Sequence, residues 1–178
     1  MQNNKTVIIF LVKFFGTYSL LFLLYSFYLT KNQKAIEVFS CAPITQLVAE
    51  QSNSLLNVFG FEGKIEQSQS ELSINLFVDN VVVAKIIEGC NSISIIILFI
   101  SFIVSFASGV KKTLIYLVFG SLLIYAVNIL RIVVIVIAIY KYPQYQNVLH
   151  SIIFPSIIYG ITFLLWFLWV QKFSNIKR

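Results

Sequence analysis

Three side chains in this sequence have the types that acyl transfer at a peptide bond requires: Cys90, Arg131 and His150, the last being the only histidine. The thiolate is the attacking form of cysteine. Arginine stays charged at physiological pH and can hold a thiolate or the oxyanion formed when a carbonyl is attacked, and an imidazole can pass a proton to the departing amine. Cys90 precedes one long apolar run, Arg131 lies late in another and His150 opens a third. A cysteine at a helix start meets unpaired backbone N–H groups and the positive end of the helix dipole, which favour its anion. Taken singly, each residue also has a plainer reading. The cysteine can be a small apolar filler, the arginine a snorkelling anchor or the partner of Glu88, and the histidine an interfacial residue.

The elements that must position these residues belong to a membrane protein. Hydrophobic residues make up 58% of the chain and charged residues 11%, with a mean hydropathy of +0.87, far from the composition of a soluble domain. Residues 1–178 are read as a single membrane domain. Four stretches, 7–29, 91–108, 113–140 and 151–170, come near or above the roughly 18 apolar residues needed to cross a bilayer. Lys5, Lys13, Lys111, Lys112, Lys172, Lys177 and Arg178 fall on one side with no acid among them, whereas residues 30–89 contain Lys31, Lys34, Lys64 and Lys85 and all seven acids, from Glu37 to Glu88. Basic loops stay cytoplasmic, so both termini are placed inside and residues 30–89 outside. The expectation is an all-α integral membrane bundle of four transmembrane helices, N-in and C-in, with a small extracytoplasmic insert between the first two spans. The positive net charge is then topological and calls for no nucleic-acid partner. The first run resembles a secretory signal in following Lys5, but Lys31, Lys34 and Glu37 separate it from the small residues around Cys41, and it is read as a span.

Within the insert, Pro43 opens a stretch in which Ile44, Leu47, Val48, Leu55 and Val58 keep helical spacing, and Gly60 stops it. Leu72, Ile74, Leu76 and Val78 then alternate, Asp79 and Asn80 signal a turn, and 81–87 form a β-branched run. A helix plus a β-hairpin is expected, with the second strand delivering Cys90 to the next helix. Counting the helix rise from the basic ends puts Cys90 about 32 Å above Lys111, Arg131 about 28 Å above Lys112 and His150 about 33 Å above Lys172. All three thus reach the outer edge of a hydrocarbon core about 30 Å thick. Asn128, three residues before Arg131, shares its helical face and suits either helix packing or a substrate contact. Cys41 and Cys90 fall on the same side, where a disulfide between them is an alternative, and a metal site of Cys41, Cys90 and His150 lacks the usual short ligand spacing.

The order Glu88-Gly89-Cys90-Asn91-Ser92, then Asn128-Ile129-Leu130-Arg131-Ile132, then His150, resembles the exosortase/archaeosortase family of membrane cysteine transpeptidases. The resemblance implies that Cys90 is the acyl-forming nucleophile, Arg131 the stabiliser of thiolate or oxyanion, and His150 the acid or base. Asn128, Glu88 and Asn91 become candidates for contacting the substrate or supporting those three, and no metal or cofactor is expected. Implied partners are exported proteins bearing C-terminal sorting signals, the lipid bilayer and a partner membrane subunit. The implied location is the bacterial plasma membrane, with the site at its extracytoplasmic face. Family members commonly carry more spans, so the chain looks like a short branch such as the exosortase F type, and Ser92 stands where a glycine often follows the cysteine by two positions. Two readings from other classes are a noncatalytic membrane scaffold or assembly subunit, and a thiol oxidoreductase using Cys41 and Cys90.

Overall fold

Long apolar runs without internal proline become long helices, and here two of them exceed what a bilayer needs. The computed structural model describes residues 2–36, 38–107 and 109–172, with the side chains of residues 2–4, 6, 35, 36, 38, 150 and 154 outside that description. Glu37, Lys177 and Arg178, which contribute to the charge pattern, also lie outside the described residues. Helix α1 spans Gln2–Asn32 and α4 spans Val110–Lys141. Between them lie a small hairpin, β1 (Lys34–Ile36) with β2 (Val38–Ser40); helix α2 (Pro43–Val58); strands β3 (Gly63–Gln67), β4 (Ser73–Val78) and β5 (Val81–Ile87); and helix α3 (Ile93–Ser105). After α4 come a short helical turn at Pro143–Tyr145, the three-residue α5 (Gln146–Val148), a π-helical turn (Leu149–Ile153) and α6 (Phe154–Lys172). Among the described residues three segments are long and apolar enough to cross a membrane: Val7–Asn32, Val110–Lys141 and Pro143–Lys172.

The expected second span, 91–108, is realised as the 13-residue helix α3, only about 20 Å long at the usual rise. Hydropathy averages over residues and misses where a helix breaks. Here the backbone leaves the helix at Phe106, and Gly109 has φ +79°. The expected hairpin is a three-stranded antiparallel sheet in the order β3-β4-β5. The extra strand, β3, has no apolar alternation of its own; it forms because β4 offers an edge, pairing Ile65 with Leu76 and Gly63 with Val78. The β4–β5 turn is the one the sequence signals, with Asp79 and Asn80 both at positive φ, as a tight hairpin turn requires. Helix α6, the last among the described residues, begins at Phe154, preceded by the π turn.

Helix α4 joins two cores. Its buried residues Gly120, Ile124, Asn128, Ile132 and Val136 recur every four positions and form one stripe. The first half of the stripe packs with Phe99 and Ile103 of α3 and Ile158, Leu165 and Trp169 of α6. The second half packs with Val48, Ala49 and Leu56 of α2 and with Ile74, Leu76, Val78 and Ile86 of the sheet. At one end of the bundle Phe10 stacks on Phe106, the Trp169 indole N–H donates to Phe106 O at 3.2 Å, and the Tyr116 hydroxyl donates to Leu165 O at 2.6 Å. Lys5, Lys111, Lys112 and Lys172 lie towards the helix ends beyond this layer. The sheet and α2 sit at the opposite end. The apolar outer face of α1, including Leu20, Leu23 and Phe27, is exposed, as a lipid-facing helix must be.

Close approach of α3 and α4 depends on a missing side chain. A Cβ at Gly120 would collide with Cζ of Phe99, a ring that is wholly buried. Small residues at helix crossings allow this contact in membranes. Gly120→Ala is expected to lower the unfolding midpoint in detergent by an amount equivalent to about 1–3 kcal/mol of overpacking, and adding Phe99→Leu to recover part of it. A Gly120→Ala protein as stable as the parent is the outcome that argues against this crossing.

Candidate active site

Strand β5 ends at Ile87 and passes into a 3-10 turn, Glu88–Asn91, that carries Cys90. The sequence reading puts Cys90 directly at a helix start; in the structure Asn91 and Ser92 stand between it and α3. Ser92 is in the left-handed conformation, φ 61° and ψ 0°, which side chains with a Cβ adopt at a cost and glycine adopts freely. That backbone geometry is a physical reason for glycine to be favoured at this position. The Ser92 hydroxyl donates to Asn91 O at 2.6 Å.

A network of side-chain hydrogen bonds holds the turn in place. The Glu88 carboxylate accepts the Ala42 N–H at 2.6 Å and the Thr45 hydroxyl, so it sits at the start of α2, where Ala42 offers no side-chain cap and the helix dipole favours a negative charge. Asn91, 1% exposed, donates to Tyr25 Oη at 2.7 Å on α1 and to Thr45 Oγ1 at 3.0 Å, and its Oδ1 accepts the Ile93 N–H at 3.0 Å. Asn128, also 1% exposed, donates from Nδ2 to the Cys90 carbonyl at 2.6 Å. Arg131 Nη1 in turn donates to Asn128 Oδ1 at 3.2 Å. The chain of bonds from Cys90 through Asn128 to Arg131 fixes the turn against α4. Of these supports, Thr45 and Tyr25 carry no sequence signal, because they act across 43 and 66 residues of chain.

Cys90 and Arg131 line the same groove, a cavity of about 640 Å³ walled by β5 on one side and by Ile132, Ile135, Val136 and Ile139 of α4 on the other. Arg131 is half-buried, and its Nε is buried with no hydrogen-bond partner among the described residues. The reading of Arg131 as the partner of Glu88 is not met, since both Glu88 oxygens face α2 and neither ion pair among the described residues includes Arg131. His150 falls on the π turn Leu149–Ile153. Its side chain lies outside the described residues, but the preceding Leu149 packs on Ile135 and Ile139, two residues of the groove wall.

Both cysteines are free thiols, Cys41 buried and Cys90 half-buried. Burial, and after it the charge of Glu88, pushes the Cys41 thiol above its ordinary range, against a lowering hydrogen bond from Gln67. The folded protein therefore holds this proton more tightly than the unfolded chain does. The associated stability is fully present below the ordinary thiol range and is lost as the pH rises through the raised value.

A family model of transmembrane exosortases matches residues 6–169. The chain belongs to the transmembrane exosortase family. No curated protein and no solved structure matches it. Transmembrane exosortases form a family of cysteine peptidases and transpeptidases with a membrane sorting role, and the mostly helical, strongly apolar architecture is that of such a membrane protein.

Two outcomes follow from the site of this exosortase. Ser92→Gly is expected to keep or raise the unfolding midpoint, whereas Ser92→Val, β-branched at positive φ, is expected to lose about 1–2 kcal/mol; equal midpoints for the two variants would contradict the left-handed turn. In the detergent-solubilised native protein near neutral pH, a maleimide is expected to label Cys90 at least tenfold faster than Cys41, which is 3% exposed and carries the raised thiol. Mass analysis of the labelled peptides reads the ratio, and preferential labelling of Cys41 contradicts the burial described.

Proposed function

We propose that this exosortase is a protein-sorting transpeptidase that cleaves exported proteins near a C-terminal, membrane-anchored signal through a thioester on Cys90. The observation that carries the reading is the shared groove: Cys90 and a guanidinium whose Nε has no partner among the described residues face one apolar cavity. That cavity lies at the end of the bundle away from Lys5, Lys111, Lys112 and Lys172. In this reading the end that carries those four lysines is cytoplasmic and the groove opens at the extracytoplasmic face of the plasma membrane. Counted from Val110, the first residue of α4, Asn128 stands about 27 Å up the helix, near the edge of the hydrocarbon.

The chemistry divides into two acyl transfers. The Cys90 thiolate attacks the carbonyl carbon of the cleaved peptide bond, a C–S bond forms and the carbonyl electron pair moves to oxygen, where Arg131 opposes the new negative charge. Collapse of this intermediate breaks the C–N bond, and the departing amine takes a proton from protonated His150, leaving a thioester. An acceptor amine or water then attacks the thioester and gives its proton to His150, and the thiolate departs. Asn128 acts through the backbone, keeping the Cys90 turn and the Arg131 fork in register. A substrate tethered in the bilayer reaches the groove already confined in depth, which supplies part of the orientation.

In the native host, the C-terminal peptides of exported membrane proteins, measured by mass spectrometry, are expected to be trimmed in the parent strain and retained with Cys90→Ala. Arg131→Ala and Arg131→Lys are both expected to reduce processing by about 100- to 1,000-fold, because lysine lacks the planar fork that engages Asn128 and an oxyanion together. Cys41→Ser should leave processing intact, whereas a thiol oxidoreductase needs both cysteines. Unchanged processing with Cys90→Ala, at normal levels of inserted protein, would falsify the transpeptidase reading and leave the scaffold role.

A further inference from the structure

We infer that the segment of substrate entering this groove binds as a β-strand, added to the free edge of β5. The inference rests on the transpeptidase reading for its occupant and on the sheet for its geometry. Strand β5 is terminal in the order β3-β4-β5, so among the described residues one of its edges has no strand beside it. The groove touches β5 at every residue from Val81 to Ile86. Successive side chains of a strand point to opposite faces, so a cavity on one face would touch alternate residues. Contact with six in succession marks a cavity lying along the strand's edge.

The two ends of the groove are stapled, which keeps the edge from closing on α4. At the far end the Tyr140 hydroxyl of α4 donates to Asp79 in the β4–β5 turn. At the near end Asn128 of the same helix holds the Cys90 carbonyl. The helix between these staples rises about 18 Å, a distance that roughly five or six residues of extended chain span. The volume, about 640 Å³, falls within the ordinary range of ligand sites, about 300–1,000 Å³. An exposed strand edge offers unpaired N–H and C=O groups that a peptide main chain can satisfy, with affinity coming from the backbone and side-chain selection from the pockets.

The occupant follows from what the edge leads to. Strand β5 runs directly into the turn bearing Cys90, with Arg131 beside it in the same groove, so a strand laid along β5 brings a main-chain carbonyl to the thiol. In a substrate whose membrane anchor follows the cleaved bond, the bound residues precede that bond and run towards the bilayer. They therefore lie parallel to β5. The apolar α4 wall, with Ile135 and Ile139, selects apolar or small side chains on the face that meets it.

The test uses the exported protein whose processing depends on Cys90. A synthetic peptide spanning its cleavage point carries a single backbone N-methyl group at each of the five residues before the cleaved bond in turn, and is presented to the full-length protein in lipid nanodiscs. Strand addition predicts alternation: cleavage falls at least tenfold at every second position and is little changed at those between. On the enzyme side, proline at each of residues 82–85 sorts by stability, because proline is tolerated where the N–H faces outward. Variants that keep the parent's unfolding midpoint are expected to raise KM at least tenfold with kcat little changed. Uniform sensitivity, no sensitivity, or folded proline variants that cleave like the parent would each overturn the added strand while leaving the Cys90 chemistry standing. Failure to find any Cys90-dependent processing removes both readings.

Discussion

The carboxylate of Glu88 is the joint on which the rest of the site depends. It accepts two hydrogen bonds from the start of α2, and hydrogen bonds to a charged group are each worth about 1.5–3 kcal/mol. Thr45, which donates to it, also accepts from Asn91, and Asn91 reaches Tyr25 on α1. One anion thus ties the end of β5, the start of α2 and, through Asn91, the first helix into a single framework. The cysteine turn packs against the core through Cys90 and is held by this polar hub on one side and by Asn128 on the other. Partial burial makes the arrangement strict, because any member left without its partner forfeits desolvation as well as the bond.

Helix α4 obeys two solvents along one axis. In the proposed orientation its lower half meets lipid and other helices, where the close packing of Gly120 on Phe99 replaces the hydrophobic effect. Its upper half is the partner of an amphipathic helix and a sheet, and there the same four-residue stripe buries apolar surface as in a water-soluble core. Asn128 and Arg131 lie in that upper half. The junction between the two regimes is therefore where a polar network can be assembled with rigid support from both sides.

Much of this was legible in residue order because the signals involved are local. The long apolar runs, the helix opened by Pro43, the Asp79-Asn80 turn and the delivery of Cys90 by β5 all rest on neighbours in sequence. The proximity of Cys90 and Arg131 was legible only as a shared height, and the Asn128 bond to the Cys90 carbonyl supplies the contact that height cannot. Three things were not legible. Strand β3 is polar and exists because β4 templates it; the true length of α3 depends on a helix break at Phe106 that hydropathy does not register; and the roles of Thr45 and Tyr25 arise from contacts across 43 and 66 residues. Ser92 lies between these cases, since its departure from the glycine often found there was visible, but the positive φ that gives the departure meaning belongs to the backbone.

The shortness of α3 reaches beyond the protein. Thirteen residues leave it about 10 Å short of the hydrocarbon thickness, flanked by α1 and α4, which exceed that thickness. Lipids beside such a mismatch thin or tilt, at fractions of a kcal/mol per ångström. Non-helical backbone within the hydrocarbon persists only where protein or water surrounds it, a condition that the proposed orientation places on the 3-10 turn. In the proposed orientation the cysteine would stand at the rim of a dimple in the membrane, and the acyl-chain length of the surrounding lipids would become a variable that acts on the site without touching it.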